Sequence, residues 1–317
     1  MKFNKKLNIL VTGCGGDIGQ SIGKILLKCD FTANLFGIDI SDRNAAQFIY
    51  PNFYLGVRFS DPDYIKNLET FVEKHEIDVL IPIAEPELRF LSQRKIFKNI
   101  GRAKIIIASP LALEVGFDKY LTAKFLENEK LPFPLTSLCE NLDRKYKFPI
   151  ILKSRVGSGS KDIHVIYSKE ELLFYTKDNE KYVIQEFLPD DDGEFTCGVF
   201  RSRNGEIRTQ IFRRELTGGY SGYGEVIHNE SITLLLEKLA VRLDLIGSIN
   251  VQLRISNKLP KIFEINPRFS STVLFRDLFG FKDLIWCIED VLGYRLSEYI
   301  EVTEYTKFYK GFNEYIN

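Results

Sequence analysis

Residues 7 to 108 alternate short apolar runs with amphipathic stretches, and this alternation limits the front of the chain to one kind of fold. Leu7 to Val11, Leu35 to Asp39, Asp78 to Pro82 and Lys104 to Ala108 read as buried strands. Ile18 to Cys29, Asp63 to His75 and Glu85 to Lys98 carry helical spacing between them. Strands and helices in strict alternation give a parallel sheet covered by helices on both faces. The pattern changes near Ser109-Pro110. Asp118 to Asn128 is a helix and Leu131 to Pro134 an extended connector. Strands then dominate: Ile150 to Lys153, Ile163 to Ile166, Tyr182 to Gln185, Phe195 to Arg201, Glu206 to Arg213. Helix returns at Ile232 to Leu243, before a strand over Gly247 to Ser256, a turn at Asn257 to Pro260 and a returning strand over Lys261 to Asn266. The expected class is α/β followed by α+β. At 317 residues two or three structural units are expected.

Composition narrows the function classes. Lys plus Arg and Asp plus Glu both number 43, so no basic field points to nucleic acid. Five scattered cysteines without CxxC spacing argue against a disulfide framework or a structural zinc, and for a reducing, cytoplasmic setting. No apolar run approaches the roughly 18 residues that a membrane span needs. The basic start, Met1 to Lys6, leads into a first strand and not a signal peptide.

Four constellations carry chemistry. The first is the hairpin ending in Glu264-Ile265-Asn266. Residues two apart share a strand face, so Glu264 and Asn266 point one way while Phe263 and Ile265 pack inward. If the strands pair, Gln252 joins the polar face. Three oxygen donors with one charge suit Mg²⁺ held jointly with nucleotide phosphates. A merely polar outer face is the competing reading. The second is Lys153-Ser-Arg155-Val-Gly157-Ser158-Gly159-Ser160-Lys161, a strand leading into a glycine-serine loop whose amides can close over phosphate oxygens. It is not a Walker A loop, since no helix follows, and a plain surface hairpin competes. Beyond it, Gln185-Glu186-Phe187-Leu188 ends an apolar strand whose backbone can meet a purine, and Glu194 can bind ribose hydroxyls.

The third is Gly13-Cys-Gly-Gly16-Asp-Ile-Gly19 between a strand and a helix, with Asp39 about 20 residues on. With Tyr120-x-x-x-Lys124, it supports an alternative: an NAD(P)-dependent dehydrogenase or epimerase. The fourth is a glycine-tyrosine loop opening with Arg213-Arg214 and holding Tyr220 and Tyr223. Arginine pairs bidentately with carboxylates, so Arg213 or Arg214 is a candidate for a substrate carboxylate, with the two tyrosines lining the pocket. A surface loop with solvated arginines carries equal weight.

Taken in order, these pieces resemble the ATP-grasp superfamily, and most closely the ATP-binding halves of the carbamoyl-phosphate synthase large subunit. The resemblance runs from about Asn8 to Gly293. It implies a Rossmann-like front (pre-ATP-grasp) domain over 1–108 that does not use NAD, and a two-lobed ATP-grasp domain. The small lobe would span 109–190, the large lobe 191–300 and a tail 301–317. By resemblance, Lys119 and Lys153 contact nucleotide phosphates, and the loop from Gly157 through Ser158, Gly159 and Ser160 closes over them. Gln185, Glu186, Phe187 and Leu188 meet the adenine, and Glu194 the ribose. Gln252, Glu264 and Asn266 hold two Mg²⁺ ions, with Mn²⁺ as a substitute. Arg268 and Lys153 stabilise the transferring phosphoryl group. Val156 and Lys161 depart from the glycine-richer loops of many synthases. With no second half and no glutamine-hydrolysing partner, the implied activity is a stand-alone ligase. It would activate a small-molecule carboxylate as an acyl phosphate and join it to an amine, without nucleic acid or membrane, with a homodimer as the expected assembly.

Overall fold

The computed structural model describes residues 5–139, 147–157, 162–176, 181–189, 192–311 and 313–316. Three sheets organise it. The front sheet is built from β1 (Leu7–Thr12), β2 (Thr32–Asp39), β3 (Asn52–Leu55), β4 (Val79–Pro82), β5 (Asn99–Ile100) and β6 (Ala103–Ile105), in the order β3-β2-β1-β4-β6-β5. All neighbours are parallel except β5 and β6. The helices α1 (Asp17–Leu26), α2 (Tyr64–Lys74) and α3 (Glu85–Gln93) connect them. Alternation along β1 sorts its side chains: Ile9 and Val11 join one core and Leu10 the other. Strand β3 has no counterpart in the sequence reading; Asn52-Phe-Tyr-Leu55 lies at the sheet edge and only half alternates.

The second sheet has the order β7-β10-β8-β9, all antiparallel, from β7 (Thr136–Leu138), β8 (Ile150–Ser154), β9 (Ile163–Ile166) and β10 (Tyr182–Glu186). Between the front sheet and it run α4 (Pro110–Gly116) and α5 (Lys119–Asn128), and α6 (Lys169–Thr176) packs Leu172 onto its small core. The third sheet is antiparallel: β11 (Glu194–Arg201), β12 (Ile207–Thr217), β13 (Tyr220–Val226), β14 (Gly247–Ser256), β15 (Leu259–Asn266) and β16 (Lys307–Tyr309), in the order β15-β14-β11-β12-β13-β16. The apolar stripe of α7 (Glu230–Arg242), Leu235, Leu236 and Leu239, fills the core beneath it.

The helices α8 (Val273–Leu278) and α9 (Asp283–Val291) close the front unit from the far end of the chain. Val273, Phe281, Trp286 and Ile288 lie in the same core as Ile9, Val11 and Ile22. The front sheet therefore buries one face against residues 190 or more positions away in sequence. The C-terminal segment adds to this. Phe308 is buried in the third sheet, and Lys310 pairs with Asp17 at the start of α1.

Candidate active site

The site is built on the hairpin β14–β15. Its turn is only Asn257-Lys258, both at positive φ (52° and 64°), as primed two-residue turns require. Leu259 and Pro260 already belong to the strand, so the expected four-residue turn is shorter by two. The pairing sets Asn250 opposite Asn266 and Gln252 opposite Glu264, then shifts so that Leu253 faces Ile262. Phe263 is the extra residue of a β-bulge, which inverts the alternation on one side of it. Ile262 and Ile265, three apart, therefore both enter the core (0% and 1% exposed). The expectation that Phe263 packs inward fails for this reason. Its carbonyl instead accepts from Lys153 Nζ at 3.3 Å, and its ring lies 5.5 Å from that ammonium.

Three cross-strand rows carry the polar face. Glu194 sits on β11 between Arg214 of β12 and Arg254 of β14. Arg214 donates to Glu194 Oε1 through Nη2 (2.7 Å), and Arg254 to Oε2 through Nη2 (2.8 Å). Both carboxylate oxygens of the expected ribose acid thus have guanidinium partners. Arg214 also reaches Gln252 Oε1 (2.9 Å), so an expected substrate arginine bonds an expected metal ligand. Arg254 was not anticipated, although it lies two residues beyond Gln252 on the same strand face. It also donates to the Leu188 carbonyl (2.7 Å), tying the backbone of the expected adenine segment to the large sheet. The next row is Thr196, Gln252 and Glu264, and the last Gly198, Asn250 and Asn266. Asn266 Nδ2 donates to Glu264 Oε1 at 3.3 Å.

Lys153, at the end of β8, is 4% exposed. Burial pulls its ammonium down to about 8; Glu264 opposes the shift, Lys119 adds to it and Glu194 opposes it. Residues from three separate parts of the chain thus act on one amine. Lys119 donates to the Gly157 carbonyl (2.8 Å), while Asp118 caps α5 and takes Arg155 at 2.8 Å. The entry to the glycine-serine loop is thereby pinned to α5. Ser158, Gly159 and Ser160 lie outside the described residues. Gln185 and Glu186 spend their side chains on neighbouring elements: Gln185 on Thr136 (2.9 Å), Glu186 on Lys261 (2.7 Å) and the Leu135 amide (3.1 Å). Phe187 is half-buried and Leu188 buried.

The Lys153 shift gives a pH prediction. Below pH 8 the amine is charged, and between about 8 and its ordinary 10.5 it is neutral in the folded, ligand-free protein. An adjacent phosphate favours the charged form. If Lys153 meets a nucleotide phosphate, as the resemblance implies, binding is tightest below pH 8, weakens as pH rises through 8, and takes up a proton above it. Calorimetry at pH 8.5 in buffers of different ionisation enthalpy reads that uptake, which Lys153→Met removes. Uptake that persists in the variant assigns it elsewhere.

A cavity of about 430 Å³ joins this face to the front unit. Gln252, Glu264, Asn266 and Arg268 line one side, and Gly13, Asp17 and Glu85 the other. Arg214 and Tyr220 line it as well. Burial lowers the Arg268 pKa, and Glu85 and Glu264 oppose that shift. Arg213 and Tyr223 instead line an outer pocket of about 670 Å³, which also contains Arg214. There Arg213, half-exposed, pairs with Glu225, and the Tyr223 ring meets Tyr309 at 5.2 Å.

The front glycine turn is arranged differently from a dinucleotide site. The Gly15 amide donates to Asp39 Oδ2 (2.8 Å), so the acid that a dinucleotide site would turn to a ribose instead closes the turn. Gly19 is required for packing: a Cβ there would lie 2.5 Å from the Cys14 backbone. Lys124 of the Tyr-x-x-x-Lys spacing is half-exposed and pairs with Glu127 (2.8 Å). The dehydrogenase alternative finds no support.

A front α/β unit, a small antiparallel lobe carrying Lys153 and a large sheet carrying Glu264 together define the ATP-grasp architecture. Residues 117–272 match the ATP-grasp domain family, and the chain carries an ATP-grasp domain across that span. Its curated relatives include the carbamoyl phosphate synthase large chain of Methanosphaerula palustris, 23% identical over 238 residues, which covers 67% of this chain and 21% of that one. The corresponding chain of Archaeoglobus fulgidus is 25% identical over 195 residues, covering 55% of this chain and 18% of its own. The chain thus spans about a fifth of the length of these relatives. Among solved structures, N5-carboxyaminoimidazole synthetase from Staphylococcus aureus in complex with ADP superposes with a TM-score of 0.76 at 18% identity, covering 95% of this chain and 81% of that one. L-amino acid ligase from Bacillus licheniformis gives 0.67 at 15% identity, covering 92% and 75%. No helix among the described residues is long and apolar enough to cross a membrane.

Proposed function

We propose that the chain is an ATP-dependent ligase that activates a small-molecule carboxylate as an acyl phosphate and joins it to an amine. The observation that carries this reading is the cavity that opens Gln252, Glu264, Asn266 and Arg268 towards the front unit. It gives a second substrate room beside the phosphate-facing residues. The names of the structural neighbours, a carboxyaminoimidazole synthetase and an amino acid ligase, agree with it.

The donor set fits Mg²⁺. Gln252, Glu264 and Asn266 offer oxygen ligands with one formal charge, and Asn266 Oδ1 has no partner among the described residues. A hard cation held by one carboxylate takes its remaining ligands from phosphates and water. Mg²⁺ held by these residues would cancel phosphate charge. Lys153 and Arg268 flank the same face and add fixed positive charge where the transferring group develops its own. Lys119 and the Gly157 backbone hold the outer phosphates. The substrate carboxylate oxygen attacks the γ-phosphorus as its bond to ADP breaks. The amine then attacks the acyl carbon, phosphate leaves, and the amine proton passes to solvent or to a cavity carboxylate. Arg214 and Tyr220, within the cavity, are better placed for the substrate than Arg213 and Tyr223. The adenine lies against Gln185 to Leu188, and the ribose approaches Glu194 only if one of its arginines yields an oxygen. Five free thiols agree with a cytoplasmic setting.

ADP release, measured with Mg²⁺ against amino acids, hydroxy acids and sugar acids, each paired with amines, tests this function. ADP formation that requires both a carboxylate and an amine is expected. ADP release indifferent to both, or turnover of a nicotinamide without ADP, would overturn it.

A further inference from the structure

The front unit holds a second cavity, of about 500 Å³, at the carboxyl ends of β1, β2 and β4. It lies where the strand order reverses, the place at which open α/β sheets leave a crevice. We propose that this crevice binds an uncharged aromatic small molecule whose edge carries a hydroxyl or amide group.

The walls argue for an aromatic occupant. Tyr54, Phe59 and Phe71 line the cavity with Ile40 and Leu55 at its rim, and Tyr54 meets Phe71 edge-on at 5.0 Å. Leu55 is 64% exposed and Ile40 51%, so apolar surface is left open at the mouth. Aromatic rings stack favourably in such walls. The floor argues for one polar group. Glu87 is 4% exposed, and its Oε1 takes hydroxyl hydrogen bonds from Thr12 (2.7 Å) and Tyr64. Its Oε2 has no hydrogen-bond partner among the described residues, and the side chain lines the cavity. That oxygen is reachable from the cavity, so water meets it when the cavity is empty; a ligand with a donor replaces that water, and a purely apolar one leaves the oxygen without a partner. Burial raises the carboxyl pKa, the Thr12 and Tyr64 hydrogen bonds oppose that shift and Asp39 adds to it, so a group that can both donate and accept matches either protonation state. Asp39, also in the wall, already has both oxygens engaged by the Gly15 and Ser41 amides. Of the two carboxylates this leaves Glu87 to meet the ligand's polar edge, while Arg58 and Asn67 line the wall beside it.

The cavity is separate from the nucleotide face, though Gly13, Ala84 and Pro86 line both it and the substrate cavity. The inference stands without the ligase assignment, because neither its residues nor its test uses turnover.

The test is calorimetric titration of the full chain with 2-naphthol and with naphthalene, alone and with a saturating non-hydrolysable ATP analogue and Mg²⁺. The expected result is that 2-naphthol binds about tenfold more tightly than naphthalene, one hydrogen bond's worth, and keeps its affinity beside the analogue. Leu55→Glu, at an exposed rim position, should weaken both probes by about tenfold or more. Glu87→Leu should erase the difference between them; if that variant does not fold, the Leu55→Glu result decides alone. Binding unaltered in Leu55→Glu, or displacement by the ATP analogue, would overturn the proposal. So would absence of binding, including the case in which sedimentation shows the wild-type crevice covered by a second copy that Leu55→Glu releases.

Discussion

Replacing Glu264 with alanine should reduce ATP turnover by on the order of 10³-fold while leaving the fold intact. Glu264 is the one carboxylate of the proposed ligand set Gln252, Glu264 and Asn266, so its loss would remove the formal charge proposed to hold a hard cation. The side chain is only half-buried, and the hairpin is anchored from its other face by Ile262 and Ile265. The melting temperature should therefore change little. Glu264→Gln separates charge from shape, because it keeps an acceptor for Asn266 Nδ2. It should lose nearly as much turnover as alanine, with partial recovery at high Mg²⁺. Full ADP release by either variant would remove the hairpin from the metal site.

The second large effect lies beneath the same hairpin. Arg276 is fully buried on α8, where it pairs with Asp283 (3.3 Å) and donates to Asn250 Oδ1. Ser248 donates to Asp283 (2.7 Å) and Thr196 to Asn250 (2.9 Å), so the guanidinium joins two helices to two strands. Gly198 is needed beneath it, since a Cβ there would come within 3.0 Å of the Arg276 guanidinium and 2.7 Å of the Phe281 ring. Burial disfavours charge on both partners, lowering the Arg276 pKa and raising that of Asp283. Removing one partner strands the other. Arg276→Ala should cost about 3–5 kcal/mol in denaturant unfolding. The Arg276→Met, Asp283→Leu pair should recover a large part, because no uncompensated charge remains. A double variant as unstable as the single would mean that packing, and not stranded charge, sets the cost. Asn250 pairs with Asn266 across the hairpin, so the single variant should also loosen the strand that carries the proposed metal ligands.

The contrast between these two residues shows what the sequence reveals. Glu264 was legible because strand periodicity is local: two residues apart on one strand means one face. The strand over Gly247–Ser256 was read to its ends for the same reason. Phe263 was misread because a bulge is set by the partner strand's register, which spacing along one strand does not encode. Arg276 was invisible. In Val273-Leu-Phe-Arg-Asp-Leu278 a charged residue beside Asp277 reads as a solvated face, and only packing against Asn250 and Asp283 makes it core. The guanidinium pair on Glu194 lay between. Arg254 shares a strand face with Gln252, but its pairing with Glu194 needs the order β12-β11-β14, a long-range property. The glycine turn at Gly13 to Gly19 was read correctly as a strand–helix junction. The closing contact from Gly15 to Asp39 was not legible, because it joins residues 24 positions apart.

The most direct test is a crystal grown with a non-hydrolysable ATP analogue and Mg²⁺. The expected density places the phosphates between Lys153 and the Glu264–Asn266 strand, with the adenine against Glu186 to Leu188. Nucleotide density confined to the front unit beside Gly13 and Asp39, with none near Lys153 and Asn266, would contradict the assignment of this cleft as the site of ATP chemistry.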